Sequence, residues 1–189
     1  VVATDVTGVG TARYQLGATG YGLDGQAIFA YGSVPGSEVS TINLVSNTGV
    51  ISANSTGAGT ARSSAEAARY GSTGQAIFGY GYTGAPAHYS ITNLVSNTGV
   101  ISSDVTGVGT ARRELAATNY GIDKVIFGYG TNGSNLSMTN LVSNTGVVAS
   151  DVTGVGTARS RLDASNYGGD KAIFGYGNTG SASSLTNLV

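Results

Sequence analysis

The chain repeats itself four times, so any fold it adopts must accommodate four copies of one unit. The string NLVSNTGV occupies residues 43–50, 93–100 and 140–147, and its first three letters recur at 187–189. GTAR stands at 10–13, 59–62, 109–112 and 156–159. An AIF or VIF run with a Gly/Ala-Tyr-Gly tail stands at 27–32, 76–81, 125–130 and 172–177. Cutting before each Val-Val or Val-Ile pair divides the 189 residues into units 1–49, 50–99, 100–146 and 147–189. No segment within the chain is left for a linker or a second domain. The fourth unit lacks SNTG, and the other length differences fall just before the Phe-containing run and just after Gly-Tyr-Gly, where loops are expected.

Each unit reads as four short strands. The first is Val-Val-Ala or its equivalent, at 1–3, 50–52, 100–102 and 147–149. The second follows GTAR, as at 13–18. The third is the apolar run ending in Phe-Gly-Tyr or Phe-Ala-Tyr, and the fourth is the TNLV-type segment. SNTG, TGVG and Tyr-Gly-x-Asp lie between them and supply turn residues that tolerate positive φ. The chain has 31 glycines and two prolines, with no three-residue glycine period, which excludes collagen. Short strands at this spacing, repeated every 43 to 50 residues, predict an all-β propeller with one four-stranded blade per unit.

The order of Arg, an apolar strand ending near glycine, a strand with a polar tail, then Thr-Gly and a β pair leading back to Arg resembles the kelch repeat across the whole chain. The resemblance departs from that pattern in two ways. Gly-Tyr-Gly or Ala-Tyr-Gly replaces the usual double glycine, and the chain has no tryptophan. It implies a four-bladed ring closed by residues 1–3 pairing beside 186–189. A dimer sharing one eight-bladed ring is the alternative to the monomer. A weaker resemblance, to repeats of bacteriophage and marine-virus structural proteins, implies a place in a virion or extracellular assembly.

Charge limits the partners. Nine basic residues are scattered among ten acidic ones, for a net charge of −1. Binding to nucleic acid draws on clustered lysine and arginine, so no nucleic-acid partner is expected. No basic amphipathic segment or long apolar run points to a membrane. The first ten residues lack the basic and apolar regions of a signal peptide. With no cysteine and one histidine, neither a metal site nor a nucleophilic triad can be assembled from the usual residues, and no cofactor is expected.

Four families of residues remain as candidates. Arg13, Arg62, Arg112 and Arg159 recur once per unit, each eight residues after Asp5, Asn54, Asp104 or Asp151. They read as braces between units, with a ring of anion or sugar ligands as the functional alternative. Tyr31, Tyr80, Tyr129 and Tyr176 follow a phenylalanine by two, which predicts a shared strand face packed between units. Tyr21, Tyr70, Tyr120 and Tyr167 stand before turns and could stack on a sugar ring. The loops after Gly-Tyr-Gly vary most, and Tyr82, His88 and Tyr89 make the second one the best single binding candidate. No residue is assigned a catalytic or metal-binding role. Asp24, Asp123 and Asp170 sit in turns, a common setting for aspartate.

These readings predict a non-catalytic structural or interaction module with a protein or glycan partner. A multivalent lectin with weak sites repeated around the ring is the alternative. A glycan-active enzyme would need two facing carboxylates.

Overall fold

A computed structural model describes residues 2, 4–84 and 87–189. It is all-β, with fifteen strands among the described residues. The first unit holds β1 (Gly17–Tyr21), β2 (Gln26–Ala30), the small hairpin β3 (Ser33–Val34) and β4 (Ser37–Glu38), then β5 (Thr41–Val45), which pairs with β6 (Ser55–Thr56). The second holds β7 (Glu66–Tyr70), β8 (Gln75–Tyr82) and β9 (His88–Val95). The third holds β10 (Ala116–Tyr120), β11 (Lys124–Gly128) and β12 (Thr139–Val142), and the fourth β13 (Asp163–Tyr167), β14 (Lys171–Gly175) and β15 (Thr186–Leu188).

Every pairing is antiparallel, and each unit repeats one register. Phe29 lies opposite Ala18 and Asn43, and Phe78 opposite Ala67 and Asn93. Phe127 lies opposite Ala117 and Asn140, and Phe174 opposite Ala164 and Asn187. The apolar run is therefore the central strand of each sheet. The segment after GTAR becomes a strand only from its fourth residue, because Gln15, Ser64, Glu114 and Arg161 take φ of 52–54° and break the extended path. The expected first strand shrinks to single bridges, Val45 with Ile51, Val95 with Ile101 and Val142 with Val148. SNTG closes that connection by itself: Gly49, at φ 80°, donates to the Ser46 carbonyl, and Ser46 Oγ accepts from the Thr48 and Val50 amides.

The four-bladed ring is not formed. The strands make five separate sheets of two to four strands, and none is closed. They meet in a row, β1 against β7, β7 against β10 and β10 against β13, so the layering is nearer to a β-sandwich than to a propeller. β15 ends its sheet, which runs β13-β14-β15, and the face of the fourth unit is uncovered. Residues 1 and 3, which the ring would have paired beside 186–189, lie outside the described residues, and Val2 is exposed. Physically, a repeat needs only its neighbours to bury its faces, so a recurring unit specifies the local interface and leaves closure open.

Backbone bonds stitch the row together at recurring points. Gly32 donates to the Arg62 carbonyl, Gly81 to Arg112 and Gly130 to Arg159. Gly22 donates to Gly74, Gly71 to Asp123 and Gly121 to Asp170. Three apolar clusters fill the row; the first joins units one and two, the second units two and three, the third units three and four.

Candidate functional site

The most elaborate chemistry in the molecule lies between units, where a guanidinium stacks on a tyrosine of the preceding unit. At the junction of units two and three, Arg112 lies 4.1 Å over the Tyr80 ring. Its Nε donates to the Tyr129 carbonyl at 2.8 Å, Nη1 to the Thr110 carbonyl at 3.1 Å, and Nη2 to Asn140 Oδ1 at 2.7 Å. Asn140 Nδ2 passes the network to Asp151 Oδ1 at 2.9 Å. Asp151 in turn accepts from the Thr110 amide and hydroxyl. The Arg112–Asp151 separation is 3.9 Å, so the carbonyls and the asparagine hold the arginine more closely than the carboxylate does. Arg62 repeats the arrangement over Tyr31, through Asn93 and Asp104. Both arginines are fully buried.

Burial governs the titration of this layer. It lowers the pKa of Arg62 and Arg112 against the pull of the neighbouring tyrosine and aspartate. It pushes Tyr80 up to about 12, with the Arg112 charge working in the opposite direction. For Asp104 and Asp151, desolvation would raise the carboxyl pKa, yet hydrogen bonds from threonine and asparagine, together with the arginine charge, bring it below the ordinary value. The layer is a closed charge and hydrogen-bond network, which makes the arginines braces; the structure gives no support to the ligand-ring alternative.

The Phe–Tyr pairs do not share a face. Two-residue spacing keeps side chains together only while a strand stays regular. Here Tyr31, Tyr80, Tyr129 and Tyr176 adopt φ of 62–65°, and in the second unit the register shifts between Gly79 and Gly81. Such an irregularity re-aims a side chain. Phe78 therefore packs backward on Tyr31, with ring centroids 5.5 Å apart, while Tyr80 packs forward on Phe127 at 5.2 Å. Tyr129 meets Phe174 at 5.4 Å. Left-handed backbone at a bulky residue costs about 1–3 kcal/mol, offset here by the aromatic contact, the stacked guanidinium and the hydroxyl's bond to the next unit. Tyr31, Tyr80 and Tyr129 donate to the carbonyls of Ala58, Val108 and Val155.

Of the turn tyrosines, Tyr21 and Tyr70 are buried. A Cβ added at Gly99 would lie 2.9 Å from the Tyr21 ring, and one at Gly146 would lie 2.8 Å from that of Tyr70. Each ring thus packs on the SNTG turn at the end of the following unit. Tyr120 is half-buried beside the third cluster, and Tyr167 is exposed. The four positions do not form one repeated stacking platform.

The second variable loop does bring its residues together. Tyr82 and His88 pair across the extended hairpin β8–β9, with rings 5.4 Å apart, and Arg113 lies 4.2 Å over Tyr82. Tyr89 meets the Thr83 hydroxyl at 3.4 Å. His88 Nε2 is buried and has no hydrogen-bond partner among the described residues. All three candidates are half-buried, and no carboxylate or second histidine is among these contacts.

Two features escaped the sequence reading. Gly79 and Gly128 leave room for the next unit's phenylalanine: a Cβ at either would lie 2.8 Å from Cζ of Phe127 or Phe174. The Gly-Tyr-Gly tail signalled them, but as turn glycines. A cavity of about 320 Å³ gathers Gln15, Ser64, Glu114 and Arg161, the equivalent left-handed residues of all four units, together with Glu66 and three leucines. Glu114 Oε2 accepts from Arg161 Nε at 2.9 Å. Burial, reinforced by Asp163, pushes the Glu66 carboxyl up to about 7. These four residues differ in type from unit to unit, so no motif marks them. The chain matches no protein-family model and no curated protein.

Proposed function

We propose that the chain is a non-catalytic structural and interaction module, a rigid row of repeats that displays variable loops. One observation carries this reading: at the inner junctions the recurring arginines and tyrosines are consumed in joining units to each other. Arg62 and Arg112 are fully buried, each with three hydrogen bonds and a stacked tyrosine. What varies is the loop set at the rim, where binding residues are commonly carried on a rigid frame. The weaker resemblance to virus structural repeats supports a place in a larger assembly.

A glycan array read beside hydrogen exchange tests the proposal. The expected result is an array without reproducible signal and slow exchange at the inter-unit amides of Gly32, Gly81 and Gly130. Reproducible binding to one sugar class would replace this reading with the lectin. Fast exchange at those amides would remove the rigid frame.

A further inference from the structure

The two ends of the row carry unmatched halves of the junction whose stacked arginine and tyrosine recur three times inside it. On the trailing side, Tyr176 is 68% exposed, whereas Tyr31, Tyr80 and Tyr129 are buried. Beside it opens a cavity of about 480 Å³, lined by Tyr176, Gly175, Ala164 and Ile173 among others. Gly175 occupies the position of Gly79 and Gly128. A Cβ there would meet only Thr186 Cγ2, at 3.7 Å, where the inner glycines meet a phenylalanine ring. Gly175 is thus a slot shaped for a ring and without one.

On the leading side, the missing parts are present. Phe29 is half-exposed, while Phe78, Phe127 and Phe174 are buried. Arg13 keeps its bonds to the Tyr31 and Thr11 carbonyls but has no tyrosine against its outer face. Arg13, Phe29 and Val9 border a cavity of about 220 Å³. This is the place where the preceding unit's tyrosine would insert. Asp5 and Val6 are exposed, although their counterparts Asp104 and Val105 are bound, to Thr60 and to Thr92.

We propose that the trailing face of the fourth unit docks the leading face of the first unit of a second copy of this chain. The proposal rests on the scaffold reading and deepens it by naming the partner. Phe29 of the second copy fills the slot at Gly175. Its Arg13 stacks on Tyr176, whose hydroxyl donates to the Val9 carbonyl, as Tyr80 does to Val108 inside the row. Asp5 accepts from Thr157 and Asn187, as Asp151 does from Thr110 and Asn140. The contact is head-to-tail, so each copy keeps one face free for another. At each of the three inner junctions this face meets a phenylalanine and an arginine of the next unit, and the leading face of the chain presents that same pair.

Blocking each half separately tests it, with mass followed across a concentration series. Wild type should form species of two or more chains of 18.8 kDa. Gly175→Leu fills the slot from within and leaves the fold intact, because nothing but Thr186 lies near. Phe29→Glu removes the ring from the other half. Each variant, with its near-ultraviolet dichroism unchanged, should run as a single chain, and the two mixed should form a one-to-one dimer through the surviving faces. Wild type that stays single at every concentration would overturn the docking and leave the scaffold reading to its own test. So would Gly175→Leu with undiminished association, which would mean another surface or another partner, or a mixture that fails to pair.

Discussion

Arg112 and Arg13 are the same residue in the same repeat, and the molecule treats them differently. Arg112 is sealed between two units, with a tyrosine ring on one side and hydrogen bonds to two carbonyls and an asparagine. Arg13 keeps the two carbonyl bonds but lies at an open face. The tyrosines repeat the lesson in reverse, with Tyr80 covered and Tyr176 bare. The unit's sequence specifies half of a junction on each side, and a side chain acquires its full role only when a neighbour supplies the other half. Position in the row, as much as residue type, sets the energetic weight of each repeat element.

The largest effect should therefore come from paired truncations of this arginine. Arg112→Ala strands Asn140 Oδ1 and the Tyr129 and Thr110 carbonyls in the interior and removes the stacked cation, at a cost of about 3–5 kcal/mol. Arg13→Ala loses two bonds at an open edge and should cost about 1 kcal/mol. Urea denaturation of both, in the Gly175→Leu background so that association does not intervene, measures the gap. Equal losses would show that the inner junction adds nothing to the local bonds.

The repeat was legible, and so were the strands around Phe29, Phe78, Phe127 and Phe174, because apolar runs bounded by turn glycines constrain the chain locally. Arginine bracing was legible too, since one arginine per unit beside an Asp or Asn suggests a tiled contact. Closure into a ring was not, because it depends on the small angle added at each junction, and no single residue encodes an angle. The direction of the tyrosines was also hidden. Period-two reasoning assumes a regular strand, and the left-handed φ at Tyr80 turns a same-face pair into a bolt reaching the opposite way. Of the binding candidates, Tyr82 and His88 face each other across β8 and β9 with Tyr89 beside them, while Tyr21 and Tyr70 are buried, as the packing reading of the turn tyrosines expects.

A second contrast lies at the first residue of the inner strand, where Glu66 in the second unit matches Asp163 in the fourth. Glu66 is half-buried at the cavity shared by the four units, and Asp163 is exposed at the end of the row. The charged groups around that cavity are Glu114, Arg161 and the nearby Asp163. With its carboxyl pushed from 4.5 to about 7, folding favours the neutral form. Its contribution is therefore fully present below about pH 4.5 and is lost as pH rises through about 7. Stability of the wild type should fall by about 1–3 kcal/mol across that window. Glu66→Gln should flatten this part of the profile, whereas Asp163→Asn should leave it largely in place, apart from the smaller share that the Asp163 charge contributes. Thermal melts from pH 4 to 8 distinguish the two, and an unchanged slope in Glu66→Gln would place the titration elsewhere.

The smallest effect serves as the control, because it belongs to an exposed side chain and acts through the local backbone. Ile122 holds φ of 76° in the turn between β10 and β11, where Asp123 donates to the Gly121 carbonyl. Its side chain is exposed, so packing does not compensate a β-branched residue in left-handed backbone. The fourth unit places Gly169 at the same point, with φ of 84°, and makes a turn of the same length. Ile122→Gly should therefore stabilise the chain by about 0.5–1 kcal/mol, the relief of strain exceeding the added entropy of the unfolded glycine. Gly169→Ile should cost a similar amount, although it lies at the end of the row. If these two changes are equal and opposite while the arginine pair differs severalfold, the difference between inner and outer units resides in the junctions. If Gly169→Ile is tolerated where Ile122 is strained, the end unit is looser throughout, and the arginine contrast would then report that looseness as well as the missing neighbour.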